Sequence, residues 1–449
     1  MKNPAIILIG FTLSLNNSAY AQQKKDANSN ENLKLTIDKK LSNQANPVLS
    51  LADSLLKSYI IEDKALKMWE SLTLNFQNGN YKNFTDGKIL ANQINQELFK
   101  ISNDLHLKLV YSESPLPPIL ERNSNSDGDE TMLVEFLENN QYGIQKQAIL
   151  KGNIGYLELS LFAPLKQAQE KLVDAMKYVE DTDALIIDLR KNTGSLDPDT
   201  VPFLMSYFFE NPVHLFNFEN REKNSVKQLW TLDQVPGKKY LNKPVSILTS
   251  PQTFSGGEEF AYDMKYHNKA TIIGETTKGG ANPTSPVRIN DHFLVVMPKE
   301  RSVNTITKTN WEQVGVKPDR EVDANFALYE AHYLLLDELY CKNDFLNSSQ
   351  IDNAINELVK NRPQYKKVTF KLNDYLDAKN VAVVGSFNYW NPVKHPLKKV
   401  DKGWIAEVDV LPGEIQYKFI VDGEWILDPK NPNTGQHNEH TNSVIKISN

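Results

Sequence analysis

Apolar residues recur at helical spacing in two stretches near the start of the chain, "VLSLADSLLKSYIIEDKALKMWESL" from Val48 and "DGKILANQINQELFKISN" from Asp86. Residues three and four apart share a helix face, so both stretches predict amphipathic helices and together a small helical unit. From Asn153 the rhythm changes to strand and helix in alternation. "NIGYLELSLF", "ALIIDL", "PVSILT" and "ATIIG" read as buried strands, and "LKQAQEKLVDAMKYVE", "DTVPFLMSYFF" and the residues after Ser255 read as the helices between them. That order predicts an α/β layer with mainly parallel strands, whose chemistry would sit just past the carboxyl ends of the strands. A further helix over about 351–361 stops before Pro363. Beyond it come only short strands and turns, "KKVTFKL", "NVAVVGSF", "GWIAEVDVLPG", "IQYKFIVDG" and "NSVIKI", the pattern of an all-β module small enough for an immunoglobulin-like sandwich.

The punctuation between these blocks sets the expected organisation. "SPLPPILERNSNSDGDE", from Ser114 to Glu130, is a loop or linker by composition. The resulting division is a signal peptide over 1–21, a flexible leader over 22–47, a helical domain over 48–115, an α/β core over 131–335, a linker helix over 336–364 and a β-sandwich module over 365–449. With 449 residues, several cores are expected.

The first residues, "MKNPAIILIGFTLSLNNSAYAQQ", carry Lys2, an apolar run from Ala5 to about Leu15 and then Ala19-Tyr20-Ala21. This is the pattern of a secretory signal cleaved after Ala21, and the run is too short to span a bilayer. An exported protein, periplasmic or extracellular, is expected. Cleavage removes Lys2 and shifts the formal charge of -6 to -7. That mild charge is spread along the chain, which argues against a nucleic-acid or anionic-membrane surface. No later apolar run is long enough for a membrane span. Cys341 is the one cysteine, so no internal disulfide can form.

Candidate chemistry centres on "SPQTFSGGEEFAYDM". Ser255 followed three residues later by Glu258 is a capping box, yet a serine at a strand-to-helix turn with Gly256 and Gly257 behind it is also where a nucleophile and an oxyanion donor could stand. The glycine turn in "DLRKNTGS", Asp188 to Ser195, could supply a second donor. Residues alone leave cap and nucleophile both open.

Four motifs in order, "ALIIDLRKNTG", "TSPQTFSGGEEFA", "ATIIGETTKGGANP" and "NWEQVGVKPDREV", resemble the tail-specific (C-terminal-processing) serine peptidases, and within them the tricorn-core and interphotoreceptor retinoid-binding-protein-like branch. The resemblance spans roughly residues 48–330 and implies a ClpP/crotonase-like core. It implies Ser255 as nucleophile, with the oxyanion held by the amides of Gly256 and Gly194. Processing members use a lysine base, but Gly280 occupies the expected position and Lys278 lies two residues early. The tricorn-like branch instead uses a histidine from an Asp-x-His stretch and a late glutamate, which implies His106 of "DLH" as base and Glu312 of "WE" as its orienting carboxylate. Lys278 is the alternative base, and no metal or other cofactor is implied. Ser195 stands where the family's turn has its second glycine, and no segment is large enough for a PDZ domain, so recognition of a C-terminal tail is not implied.

"VAVVGSFNYWNP", "GWIAEVDVLPGEIQYKFIVDGEWILDPKNP" and "NEHTNSVIKI" resemble the glycogen-binding module of AMP-activated protein kinase beta subunits. The resemblance implies that Trp390, Lys418, Trp425 and Asn442 contact glucose units, with Phe387, Tyr417 and Phe419 in the core. The expected function is an exported serine peptidase acting on peptide or protein substrates, with an α-glucan as a second ligand. The alternatives are a non-catalytic apolar-ligand-binding protein on the same fold and a carbohydrate-anchored scaffold.

Overall fold

The computed structural model describes residues 46–116, 127–342, 348–437 and 440–448. The expected signal segment 1–21, residues 22–45 of the leader and 117–126 of the linker lie outside the described residues.

Three helices come first: α1 (Pro47–Ser58), α2 (Glu62–Gln77) and α3 (Gly87–Ser102). The Asn46 side chain accepts the Val48 amide with Pro47 opening α1, and Asp86 accepts the amides of Lys88 and Ile89 to open α3. Their apolar stripes, including Leu51, Leu55, Met68, Leu72, Ile94 and Leu98, close on Val295 and Met297. The helices are therefore not closed on themselves. Strand β1 (Lys108–Tyr111), which periodicity did not predict, pairs antiparallel with Phe293–Pro298 far along the chain.

After α4 (Asp127–Asn139), part of which falls in the expected loop, a six-stranded sheet forms the centre. It contains β2 (Ile144–Leu150), β3 (Ile154–Leu159), β4 (Ala184–Asp188), β7 (Val245–Thr249), β8 (Thr271–Gly274) and β12 (Arg320–Glu321) in the order β12-β8-β7-β4-β3-β2. All pairings are parallel except that of edge strand β2 with β3. Alternation along β4 divides the core. Leu185 and Ile187 face α5 (Leu165–Val179) and α7 (Gly256–Tyr266), whereas Ala184 and Ile186 face α8 (Ala327–Lys342) and α9 (Ser348–Lys360). Helix α8 escaped the periodicity because "ALYEAHYLLLDELYCK" is apolar around much of its circumference, as suits a helix laid against a sheet.

Short α6 (Thr200–Met205) precedes hairpin β5 (His214–Asn220) and β6 (Ser225–Trp230). Strands β9 (Thr284–Arg288) and β10 (Phe293–Pro298) join β1, and β11 (Glu300–Asn304) joins β5. The C-terminal part holds two sheets. One is β13 (Lys366–Leu372), β16 (Gly403–Val410) and β15 (Lys398–Val400). The other is β14 (Val381–Gly385), β17 (Gly413–Val421), β20 (His440–Ile447) and β19 (Thr434–His437), with β18 (Glu424–Ile426) added on β17. Phe370, Val383, Phe387, Trp404, Tyr417 and Phe419 form their shared core, as expected for Phe387, Tyr417 and Phe419. Among the described residues no helix is long and apolar enough to cross a membrane.

Candidate active site

The loops that leave the carboxyl ends of β4, β7 and β8 meet at Ser255. The hydroxyl of Thr253 donates to the Leu189 carbonyl at 2.8 Å, and the Phe254 amide donates to the Asn192 carbonyl at 3.0 Å. So clamped, Ser255 adopts φ 51° and ψ -117°, a conformation that costs a non-glycine residue on the order of 1–3 kcal/mol and concentrates at functional sites. Both arms of the capping box face each other, and its carboxylate arm is the firm one. Glu258 accepts the Ser255 amide at 2.9 Å, while the hydroxyl arm falls short of hydrogen-bond geometry. Glu258 does more than cap: buried, it also accepts the Thr277 hydroxyl and the amides of Gly279 at 2.6 Å and Gly280 at 2.9 Å. Burial raises its pKa to about 7 against these donors, which lower it. The sequence reading gave Glu258 one role and missed the second.

His106 arrives from the helical segment. Asp104 makes the turn that presents it, its carboxylate accepting the His106 amide at 2.9 Å, the Leu107 amide at 3.3 Å and the Tyr59 hydroxyl at 2.9 Å. This is the physical content of the Asp-x-His pattern. The imidazole stacks on Phe254, the residue before Ser255, with ring centroids 4.5 Å apart. Burial lowers its pKa to about 4, with Asp104 opposing and Lys278 adding to the fall. Its Nδ1 is buried without a hydrogen-bond partner.

Glu312 meets the chain at Ala281, next to Gly280. Its Oε2 accepts the Ala281 amide at 2.7 Å, and the neighbouring Trp311, buried, donates to the Gly280 carbonyl at 2.8 Å. Burial raises the Glu312 pKa to about 7, with Asp104 adding to the rise. Its Oε1 is buried and unpartnered, as is Nδ1 of His106. Gly280 packs against both rings: a Cβ there would stand 2.3 Å from the Phe254 ring and 2.7 Å from His106 Cε1. A lysine at this position would force one of the two rings to move. Lys278 instead projects over the Phe254 ring, 4.7 Å from its centroid, and burial lowers its pKa to about 8. A cleft of about 700 Å³ extends from Glu312 and Asn282 between Lys64, Arg221, Glu219 and Arg301.

The two expected oxyanion donors differ in availability. Gly256 opens α7, so its amide has no intrahelical acceptor. The Gly194 amide is already donated to Asn192 Oδ1 at 2.9 Å. The Ser195 amide makes no hydrogen bond among the described residues, and its nitrogen lies 2.8 Å from where a Cβ on Gly256 would stand.

In the C-terminal part, Trp390 and Trp425 lie outside the core cluster with rings 6.3 Å apart and tilted by 32°. Lys418 and Gln416 alternate outward on β17, and Asn442 donates to Gln416 at 2.9 Å. Trp390, Trp425 and Lys418 thus lie around one sheet, whereas Asn442 on the neighbouring strand is buried with its amide given to Gln416, an unforeseen neighbour.

Such an assembly, a serine at a strained strand-to-helix turn beside a shielded histidine and a carboxylate, with a separate aromatic platform, is that of a serine-peptidase-like α/β core joined to a β-rich binding module. Residues 153–322 match peptidase family S41, residues 36–146 match the N-terminal domain of that peptidase in eukaryotic IRBP, and residues 367–449 match the glycogen recognition site of AMP-activated protein kinase. The chain thus resembles the S41 peptidases over its helical part and α/β core, and the glycogen-recognition module over its C-terminal part. Over 69 residues, 15% of the chain, it is 39% identical to 5'-AMP-activated protein kinase subunit beta-1 of Sus scrofa and 41% identical to subunit beta-2 of Homo sapiens. The match spans about half of the first relative's length, 55%, and 25% of the second's. Among solved structures, a lipoprotein from Streptococcus agalactiae aligns at 13% identity and a TM-score of 0.41, covering 71% of this chain and 99% of that one. The photosystem II D1 C-terminal processing protease aligns at 13% identity and a TM-score of 0.39, covering 62% and 94%.

Proposed function

We propose that the chain is an exported serine peptidase that cleaves peptide bonds through an acyl-enzyme. The Ser255 hydroxyl attacks the scissile carbonyl carbon while His106 takes its proton, and His106 then returns that proton to the leaving amine. Water, deprotonated by the same imidazole, releases the acyl group and restores Ser255. Glu312 holds the imidazole through Nδ1 and stabilises the imidazolium. The oxyanion is held by the amides of Gly256 and Ser195, with Gly194 kept on Asn192. The observation that carries this reading is that His106, packed against Gly280, and Glu312, bonded to the Ala281 amide, each hold a buried polar atom without a hydrogen-bond partner, a ring nitrogen and a carboxylate oxygen that are chemical complements. Buried polar atoms without partners are rare, and closing this pair would satisfy both. The adjoining cleft carries Lys64, Arg221, Arg301, Glu219 and Asn282 beside Ile60, Ile61 and Val226, a mixed lining that suits a peptide backbone and its side chains.

The C-terminal module, an immunoglobulin-like sandwich in this reading, binds an α-glucan. Trp390 and Trp425 cover sugar C–H faces, while Lys418 and Asn442 bond hydroxyls. The core is ClpP/crotonase-like, and the domain limits follow the composition changes described above. The test is cleavage of a diverse peptide library by the mature chain, Ser255→Ala and His106→Ala. Loss in both variants supports the triad. Retention in His106→Ala alone moves the base to Lys278, and equal background in all three removes the peptidase reading.

A further inference from the structure

The β-module is not tethered at a distance. Its residues dock on the ends of the strands that carry the catalytic loops. Lys394 places its ammonium between Glu275 at 2.8 Å and Asp323 at 2.9 Å, with three-quarters of its side chain shielded. Asn325 donates to the Phe387 carbonyl at 2.7 Å. Tyr389, buried, lies within electrostatic reach of Arg190, Asp188, Asp323 and Glu275. On the peptidase side the contacts continue inward. Ala324 donates its amide to Glu275 at 3.2 Å and accepts from Arg190 at 2.7 Å, and Arg190 is paired in turn with Asp188. Asp188 ends β4 just before Asn192–Ser195, Glu275 follows β8 just before Thr277–Gly280, and Ser250, which follows β7, donates its hydroxyl to the Arg190 carbonyl.

The other end of the same chain segment reaches the sugar platform. Tyr389 and Trp390 are consecutive non-glycine residues at φ 52° and 56°. Such a turn is strained for non-glycine residues and persists only where its surroundings hold it. One side of it is anchored to the core through Phe387, whose carbonyl accepts from Asn325, and through Lys394 on Glu275 and Asp323, and the other carries the ring of Trp390 beside Trp425. A strained turn pinned from two sides is an element that both sites can bias, which is what energetic coupling requires.

We propose that a linear α-glucan bound on Trp390 and Trp425 accelerates the reaction of Ser255 by fixing this turn and, through Lys394, Glu275 and Arg190, the two loops that flank the nucleophile. The proposal rests on the peptidase and sugar-site readings above and adds their linkage. It is tested on the full chain by the rate at which a fluorophosphonate labels Ser255, with and without maltoheptaose, whose binding is followed by tryptophan fluorescence. Sugar is expected to raise the labelling rate about fivefold or more. In Lys394→Ala, and in Asp323→Asn as a second variant, sugar binding and the basal rate should persist while the acceleration falls below about twofold. Sugar that binds without changing the rate overturns the coupling and leaves both sites standing. Sugar that does not bind overturns the module's sugar site and the coupling with it. A Ser255 that is never labelled overturns the peptidase reading as well.

Discussion

At the scale of single residues, the site is organised around one ring. Phe254 carries His106 stacked against it and Lys278 over it, so the two candidate bases share a neighbour and their roles separate by titration. A base must be neutral, and His106, held at about 4 by burial, is neutral throughout the physiological range. With His106 as base, its own protonation should limit kcat/KM only in acid, and the rise nearer neutrality should follow Glu312, which orients the imidazole as a carboxylate and titrates at about 7. Lys278→Met should keep most activity and move the acid limb upwards, because a cation that lowers the imidazole pKa is gone. If Lys278 were the base, the wild-type rate would climb through about pH 8, and the variant would be as inert as Ser255→Ala, down about 10³-fold or more. Gly280→Ala supplies a second check. Its methyl must displace Phe254 or His106, so activity should fall by about 10²-fold while circular dichroism stays native. The residues in these arguments were largely legible in the sequence because family motifs carry side-chain identities. The free amide of Ser195 was not, since which backbone N–H is already spent depends on how Asn192 folds back on its own turn.

Among the elements, α7 bears the sharpest tension. Behind Ser255 it carries Glu259, half-buried, and Asp263, buried, one turn apart, with Oε1 and Oδ2 respectively shielded and lacking partners. Burial raises Glu259 to about 8 and Asp263 well above the usual carboxylate range, with Glu259 adding to the rise at Asp263 and Asn304 opposing it. Between the unfolded value, about 4.3, and the folded one, the folded state binds more protons than the unfolded chain. Through Glu259, stability should therefore fall as pH rises from about 4.3 to about 8, and Asp263 acts in the same direction. Glu259→Gln should remove part of that slope, gaining on the order of 1–2 kcal/mol at pH 8 and little at pH 4. Thermal melting across this range checks it, and an unchanged slope would mean that the carboxylate is ionised in the fold. Nothing in "GGEEFAYDM" announced the tension, for Glu259 and Asp263 resemble a solvated face until α7 is packed. Strands β4 and β7 were legible as apolar runs and α5 as a clean stripe, whereas α8 carried no stripe and β1 found its partner only some 180 residues later.

For the whole molecule, the decisive feature is that separate apolar cores are joined by polar junctions. The module has its own core, built from Phe370, Trp404 and Phe419, and meets the peptidase through Lys394, Asn325 and Tyr389. No periodicity could have placed that junction, because a lysine in "NPVKHP" has no local signature of a partner at Glu275. Were the two parts merely strung together, their unfolding would be independent. Pinned by an ammonium between two carboxylates that are two-thirds or more shielded, they should unfold with overlapping transitions. Removing one member of such a group leaves the others uncompensated, a loss of about 3–5 kcal/mol when fully buried and less at this exposure. Calorimetry of Lys394→Ala should therefore split the transitions, with the module and the core melting apart. Salt at about 1 M should have a weaker effect on the wild type, since partly buried pairs are screened less than exposed ones. Identical thermograms for wild type and Lys394→Ala would mean that the junction carries no energy between the parts, and the turn at Tyr389 and Trp390 would then have only one side to hold it.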